Sequence, residues 1–343
     1  MTDKQQKKGW WRWGVNRWFV LLFIILGGYA AGFYPPIQPH VQLPPEPLSG
    51  TLFKVAGQDF QFTNTMLAML IADVILLLIG LGVYRAVKSG AMTLKGMSAA
   101  VEALLEGLYN LTENTAGKWA KFIFPWFATI TLLVLVVNWM ELFPGVDSIG
   151  ILHHSEHGSP VQNLGFAETI VKPTDGAEAH GEGAPLFGLI PFVRVLSTDL
   201  NFTVALALIA VVMVQVAGFK AQGFGYLTKF WNTKTFFSKP IFGLIDFGVG
   251  LLELISEFSK VLSFAFRLFG NIFAGSVLLF VIGSLLGGGG LGFFQVGFLM
   301  LEFFVGLIQA IVFGMLTMTF MAQATQGHGH EEHAEATAEA HEI

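Results

Sequence analysis

From residue 240 to 286 the chain is almost continuously apolar for more than forty residues. That is about twice the roughly 20 residues that one perpendicular bilayer crossing needs. No turn signal interrupts the run before the glycines at 287–290. One steeply tilted or nearly in-plane helix fits this length better than two crossings. A second long apolar segment, 292–322, follows the glycines, so the two read as a hairpin. Inside the first arm lies LSFAFRLFGNIFAGSVL, residues 262–278, in which Arg267 is the only charge, flanked by Phe264, Phe266, Leu268 and Phe269. Arginine stays protonated at any accessible pH and cannot lower the cost of lipid by going neutral. An ionisable residue at that depth is read by default as functional.

The rest of the chain agrees with a membrane setting. Only 13% of residues are charged and the mean hydropathy is +0.62, against about 25% charge in soluble domains. The sequence has no cysteine, which removes disulfides, thiol nucleophiles and Cys-based metal sites. Residues 1–17 are basic and Trp-rich, and an apolar run follows at 18–33. That pattern fits an extra N-terminal transmembrane helix with its start inside; the rival reading is a cleaved signal segment ending near Ala30 and Ala31. A Pro-rich linker occupies 35–47.

Four further segments precede the hairpin. Residues 60–84 form a clear span, followed by Arg85, Lys88 and Lys95. Over 97–121, Val101, Leu104, Leu105, Leu108 and Leu111 recur at helical spacing between Glu102, Glu106 and Glu113, which predicts an amphipathic interfacial helix. Spans follow at 122–143 and 201–219. Between them, the loop 145–191 carries six acidic residues against one lysine, Lys172, and is expected outside. Lys220, Lys229, Lys234 and Lys239 mark a cytoplasmic loop, and the polar tail 327–343 is inside by the same topology. The expected fold is all-α and polytopic, with about five main helices and the extra N-terminal one. The expected divisions are 1–50, 51–326 and 327–343.

On a 3.6-residue helix, Glu253, Ser256, Lys260, Ser263, Arg267, Asn271 and Ala274 share one face of the first arm. A polar line within lipid must face protein or water. Small residues, among them Gly270 and Gly275, allow a neighbour to approach closely. The second arm carries Glu302 and Gln309, seven apart, and Glu302 is the only ionisable group from 287 to 327. Desolvation and any nearby cation together set the proton affinity of such a carboxylate. A fixed cation, two titratable acids (Glu253 and Glu302) and two amides are the equipment of a proton path interrupted by a positive barrier. Bland alternatives stand beside this. Arg267 can act as a structural lock, Glu253 as an interfacial charge, Lys260 as a snorkelling cation and Gln309 as helix–helix glue.

These residues resemble the a subunit of F-type ATP synthases. The match centres on Arg267-Leu-Phe-Gly-Asn271-Ile-Phe-Ala-Gly275, continues with Leu307-Ile-Gln309-Ala310, and covers about residues 60–322. The resemblance implies a non-catalytic stator subunit whose tilted hairpin lies beside the rotating c-ring, with b subunits, other synthase subunits and lipid as partners, no cofactor and no nucleic acid. It implies a bacterial inner-membrane location with the C-terminus cytoplasmic. Arg267 matches the essential arginine that faces the ring carboxylate and blocks a leak between two half-channels. Gln309 matches the glutamine packed against it, Asn271 a channel-lining asparagine, and Glu253 an acid of the inner half-channel. Glu302 matches a position held by His or Glu. Ser276 stands where some members carry a partnering Glu or His, so Glu302 alone is expected to buffer the outer half-channel. Ser263 and Lys260 are expected as further channel-lining residues. The long outer loop, with His153, His154, His157 and His180, and the histidines at 328, 330, 333 and 341 depart from the family pattern; the first three can be read as metal ligands or as solvated side chains. The competing class is a self-contained secondary transporter, which commonly shows internal repeats that this chain lacks. A membrane-embedded hydrolase fails for want of a nucleophile–base pair.

Overall fold

The computed structural model describes residues 44–55, 57–88, 97–163, 186–230, 240–286 and 292–326, with short pieces at 17–25 and 165–170. Of the expected span at 18–33, residues 18, 19, 21, 22 and 25 are described, and all are helical. Most of the Pro-rich linker, Lys95, Lys172, His180, Lys234, Lys239, the glycine run and the tail lie outside the described residues. Helices dominate: α1 (Asn64–Lys88), α2 (Met97–Ala116), α3 (Ala120–Met140), α4 (Leu200–Gln222), α5 (Pro240–Leu286) and α6 (Gly292–Thr325). Five helical stretches are long and apolar enough to cross a membrane, α2 and α3 counting together as one. The chain is an all-α, multi-pass membrane protein with minor β additions.

Two of the boundaries that differ from the sequence reading have a clear local cause. The first main span begins at Asn64 rather than at residue 60, because Gln58–Thr63 is a strand (β2) paired antiparallel with β1 (Pro47–Val55). Phe60 stacks on Phe53 across that hairpin with ring centroids 4.5 Å apart. The amphipathic helix stops at Ala116 rather than running to 121. Gly117 takes φ +52, a left-handed conformation that glycine adopts at no steric cost, and opens a short 3₁₀ turn before α3. Within α2 the periodicity is obeyed. Leu104, Leu105, Leu108 and Leu111 pack inward, and Glu102, Glu106 and Glu113 are exposed.

The chain divides into two compact units. The larger comprises 42–150, 191–275 and 302–343. Its core joins Ile130 and Val134 of α3, Ala207, Ala210 and Val211 of α4, Val261, Phe264, Leu268 and Ile272 of α5, and Ala310 and Phe313 of α6. In lipid, apolar burial does little to drive helices together, so close van der Waals packing and interhelical hydrogen bonds carry more of the association. Glycine supplies the proximity. A Cβ on Gly314 would meet Thr131 Oγ1 and, at 3.0 Å, the Phe127 ring. One on Gly306 would come within 3.1 Å of Asn138 Cβ.

One end of this unit is pinned by polar side chains. Asp199 caps α4 by accepting from the Asn201 N–H at 2.9 Å, an arrangement worth about 1 kcal/mol. Its other oxygen accepts from Thr65 Oγ1 of α1 at 3.0 Å. Arg194 donates to the Pro44 carbonyl at 2.9 Å and to Thr198 Oγ1 at 3.3 Å. Near this end Asp147 has a left-handed backbone, φ 61. Burial pushes its carboxyl up to about 6; the Arg194 charge opposes that shift and Glu46 adds to it.

The smaller unit comprises 1–41, 151–190 and 276–301. Its share of the outer loop is not featureless. Strand β3 (Gly150–Ser159) pairs with β6 (Phe187–Pro191), and β4 (Val161–Asn163) pairs antiparallel with β5 (Glu168–Ile170). His153 Nδ1 lies 3.2 Å from the Gly188 carbonyl, and His154 rests on Phe187 with ring centroids 4.5 Å apart. Consecutive strand residues point to opposite faces, so this pair does not converge on one metal position.

Candidate functional site

Helices α5 and α6 run antiparallel within the larger unit. Phe264 meets Phe313 and Phe320, Asn271 meets Gln309, and Gly275 meets Glu302. This register sets the expected polar residues of the two arms opposite one another. Asn271 Nδ2 donates to Gln309 Oε1 at 2.9 Å. Gln309 is 4% exposed, and its Nε2 is buried with no hydrogen-bond partner among the described residues. Two helical turns away on α6, Glu302 is 7% exposed and its Oε1 is likewise buried without a partner. Unsatisfied buried polar atoms are uncommon and point to a function or to water.

Gly275 makes the Glu302 position possible. A Cβ there would collide with both carboxylate oxygens. Helix α3 braces the other side. Asn138 Nδ2 donates to the Gly306 carbonyl at 3.2 Å, and Trp139 Nε1 donates to the Phe303 carbonyl at 3.2 Å. Ser197 Oγ donates to Asn138 Oδ1 at 2.6 Å, so the amide is fixed at both ends. Trp139 also stacks on Phe303, with centroids 4.6 Å apart.

Arg267 sits one turn from Asn271 and points away from the core. Ser256, Ser263, Arg267, Asn271 and Ala274 are all exposed, while Val261, Phe264, Ala265, Leu268 and Ile272 on the opposite side are buried. Among the described residues the guanidinium makes one long hydrogen bond, Nη2 to Ser263 Oγ at 3.5 Å. Among the described residues it pairs with no carboxylate; the ion pairs found are Lys54–Asp59, Lys229–Glu253, Lys229–Glu257 and Lys260–Glu257. The stripe is otherwise bordered by exposed Phe258, Leu262 and Phe266. Ser276, buried at 6%, falls in the smaller unit.

Glu253 and Lys260 leave this stripe. Glu253 pairs with Lys229, and Lys260 pairs with Glu257, a residue outside the expected set. Lys229 Nζ lies 2.7 Å from Glu253 Oε1 and 3.3 Å from Glu257 Oε1, and Lys260 Nζ lies 2.8 Å from Glu257 Oε1. Burial disfavours the Lys229 ammonium, but its hydrogen bond to Glu253, with the Tyr226, Glu253 and Glu257 charges, raises its pKa above the ordinary lysine value. The spacing of four and then three from Glu253 through Glu257 to Lys260 was available to find this group.

Comparison with known proteins follows the same lines. Residues 66–322 match the family described as ATP synthase A chain. The chain is 27% identical over 264 residues to ATP synthase subunit a of Syntrophobacter fumaroxidans, covering 75% of this chain and 82% of the relative. It is 28% identical over 286 residues to that of Pseudoalteromonas translucida, covering 81% and 90%. A shorter match, 40% over 147 residues, links it to the subunit a of Desulfotalea psychrophila, covering 43% and 56%.

Proposed function

Because the chain belongs to the ATP synthase A chain family and is a multi-pass membrane protein serving proton transport for ATP synthesis, we propose that its long hairpin is the stator half of a proton-driven rotary device. The working part is residues 51–326. Two half-channels meet near Arg267: an outer one buffered by Glu302 and lined by Asn271 and Gln309, and an inner one leading past Glu253 to the cytoplasm. Arg267 faces carboxylates of a partner c-ring and makes each release its proton. Its full charge in low dielectric also bars a proton from passing straight between the half-channels. The chain itself performs no bond chemistry; b subunits hold it against the ring, and its C-terminus is cytoplasmic in a bacterial inner membrane.

The observation that carries this reading is the position of Arg267. A permanent cation lies exposed on the outer face of α5, one turn from the Asn271–Gln309 amide pair, without a carboxylate partner among the described residues. A ring carboxylate of another chain would supply the counter-charge that an intramembrane cation calls for.

Proton flux separates this reading from a self-contained transporter. Liposomes holding the purified chain alone, driven by a potassium diffusion potential, are expected to conduct protons no faster than empty liposomes. Liposomes holding the whole membrane sector are expected to conduct. Flux through the isolated chain would favour the transporter.

A further inference from the structure

Glu257 has no part in the reading above, yet it is more buried than Glu253, the other described acid of α5. Its side chain is 8% exposed, against 32% for Glu253. Both of its oxygens are held. Oε1 faces Lys260 Nζ at 2.8 Å and Lys229 Nζ at 3.3 Å, and Oε2 accepts from Gln215 Nε2 at 3.0 Å. Tyr226 donates to Gln215 Oε1 at 2.8 Å, which turns the amide so that its NH2 meets Glu257. Three elements therefore converge: α4 through Gln215, the 3₁₀ segment Gly223–Lys229 through Tyr226 and Lys229, and α5 through Glu253, Glu257 and Lys260. Helix α6 adds no charge, only the Phe320 ring, over which Lys260 Nζ sits 4.6 Å from the centroid.

The charges run Glu253, Lys229, Glu257, Lys260, two negative and two positive. A buried charge is strongly unfavourable unless it is paired and its remaining hydrogen-bonding capacity is used. Glu257 meets both conditions and is fixed. Among the described residues Glu253 pairs only with Lys229, and its side chain is 32% exposed. Removing Glu257 would leave two ammonium groups beside one carboxylate at the place where protons are to pass, and a like charge lining a narrow cleft depletes the ion locally by about 10-fold or more.

We propose that Glu257 is a positioning residue of the inner half-channel: it holds Lys229 against Glu253 and balances Lys260, so that a proton leaving past Glu253 meets an electrically neutral cluster. This rests on the reading of Glu253 as the inner acid.

The test is ATP-driven acidification of inverted membrane vesicles carrying the whole synthase, normalised to the amount of assembled complex. Glu257→Asp is expected to pump within about twofold of the parent. Glu257→Gln is expected to fall about tenfold. The double variant Glu257→Gln with Lys260→Gln, which restores neutrality, is expected to recover to within about threefold. Normal pumping by Glu257→Gln would overturn the proposal. So would a double variant no better than the single one, or loss of assembly in both, because either marks Glu257 as a packing residue. Arg267→Ala is run alongside. If it pumps normally, the channel reading itself fails; if it is inactive while the Glu257 variants disobey the pattern, only this inference fails.

Discussion

Arg267→Ala is expected to reduce ATP-driven proton pumping to background, at least about 100-fold, and to raise passive proton conductance through the membrane sector. Coulomb's law gives the scale. Two like unit charges about 5 Å apart at an effective dielectric of about 20 repel by about 3 kcal/mol. A barrier of that size slows proton passage by roughly 100-fold. Removing it opens a direct path between half-channels and also takes away the group that discharges the ring carboxylate. The amount of protein in the membrane should not fall, because the guanidinium's in-chain contact is one long bond to Ser263 and the side chain is exposed. Arg267→Lys keeps the charge but loses the planar fork, so the leak should stay low while pumping remains impaired. Pumping in inverted vesicles and passive conductance after stripping the catalytic sector measure both effects.

Glu302→Gln is the second large loss, expected at about 100-fold or more in pumping, the lower end of what removing a proton-transfer group costs. The isosteric amide preserves volume, so the protein should accumulate normally. Gly275→Ala tests the same carboxylate from the other arm. Its Cβ would collide with the end of a flexible side chain rather than with backbone. The clash therefore displaces the carboxyl group at modest cost to the fold, and pumping should fall about tenfold as the proton donor and acceptor move apart. Shortening the acid by one methylene makes room again. The double variant Gly275→Ala with Glu302→Asp should recover part of what Gly275→Ala alone loses. Unimpaired pumping by Glu302→Gln would remove Glu302 from the path.

The long helices were legible because their signals are local. Pro240 opens α5, the glycine run follows it, and no other punctuation competes over its length, so both of its bounds agree with the sequence reading. The pairing of Asn271 with Gln309 and the closeness of Gly275 to Glu302 were not visible, because they depend on the register between two apolar helices that lack a repeating seam. Glu257 was passed over for a related reason. Steps of three or four are both allowed on a helix, and stepping from Glu253 through Ser256 follows the outer stripe, while stepping through Glu257 follows the inner one. Only Gln215 and Lys229, far away in sequence, distinguish the two. The start of α1 differs for a third reason: Phe60 and Phe62 read as the beginning of a span, but residues 58–63 pair with a strand that lies upstream, β1.

The central claim is that the outer face of α5 at Arg267 meets a ring of another subunit. The sequence has no cysteine, so single cysteines report cleanly. They belong at Ser263 and Ala274, which share the exposed face with Arg267, and at Leu268 and Ile272, which are buried in the chain's own core. Each is paired with a cysteine beside the mid-membrane carboxylate of the ring subunit, and a disulfide requires Cα atoms within about 7 Å. Oxidation should cross-link Ser263→Cys and Ala274→Cys to the ring and leave Leu268→Cys and Ile272→Cys uncoupled. Cross-links from the two buried positions, or none from the two exposed ones, would contradict the account.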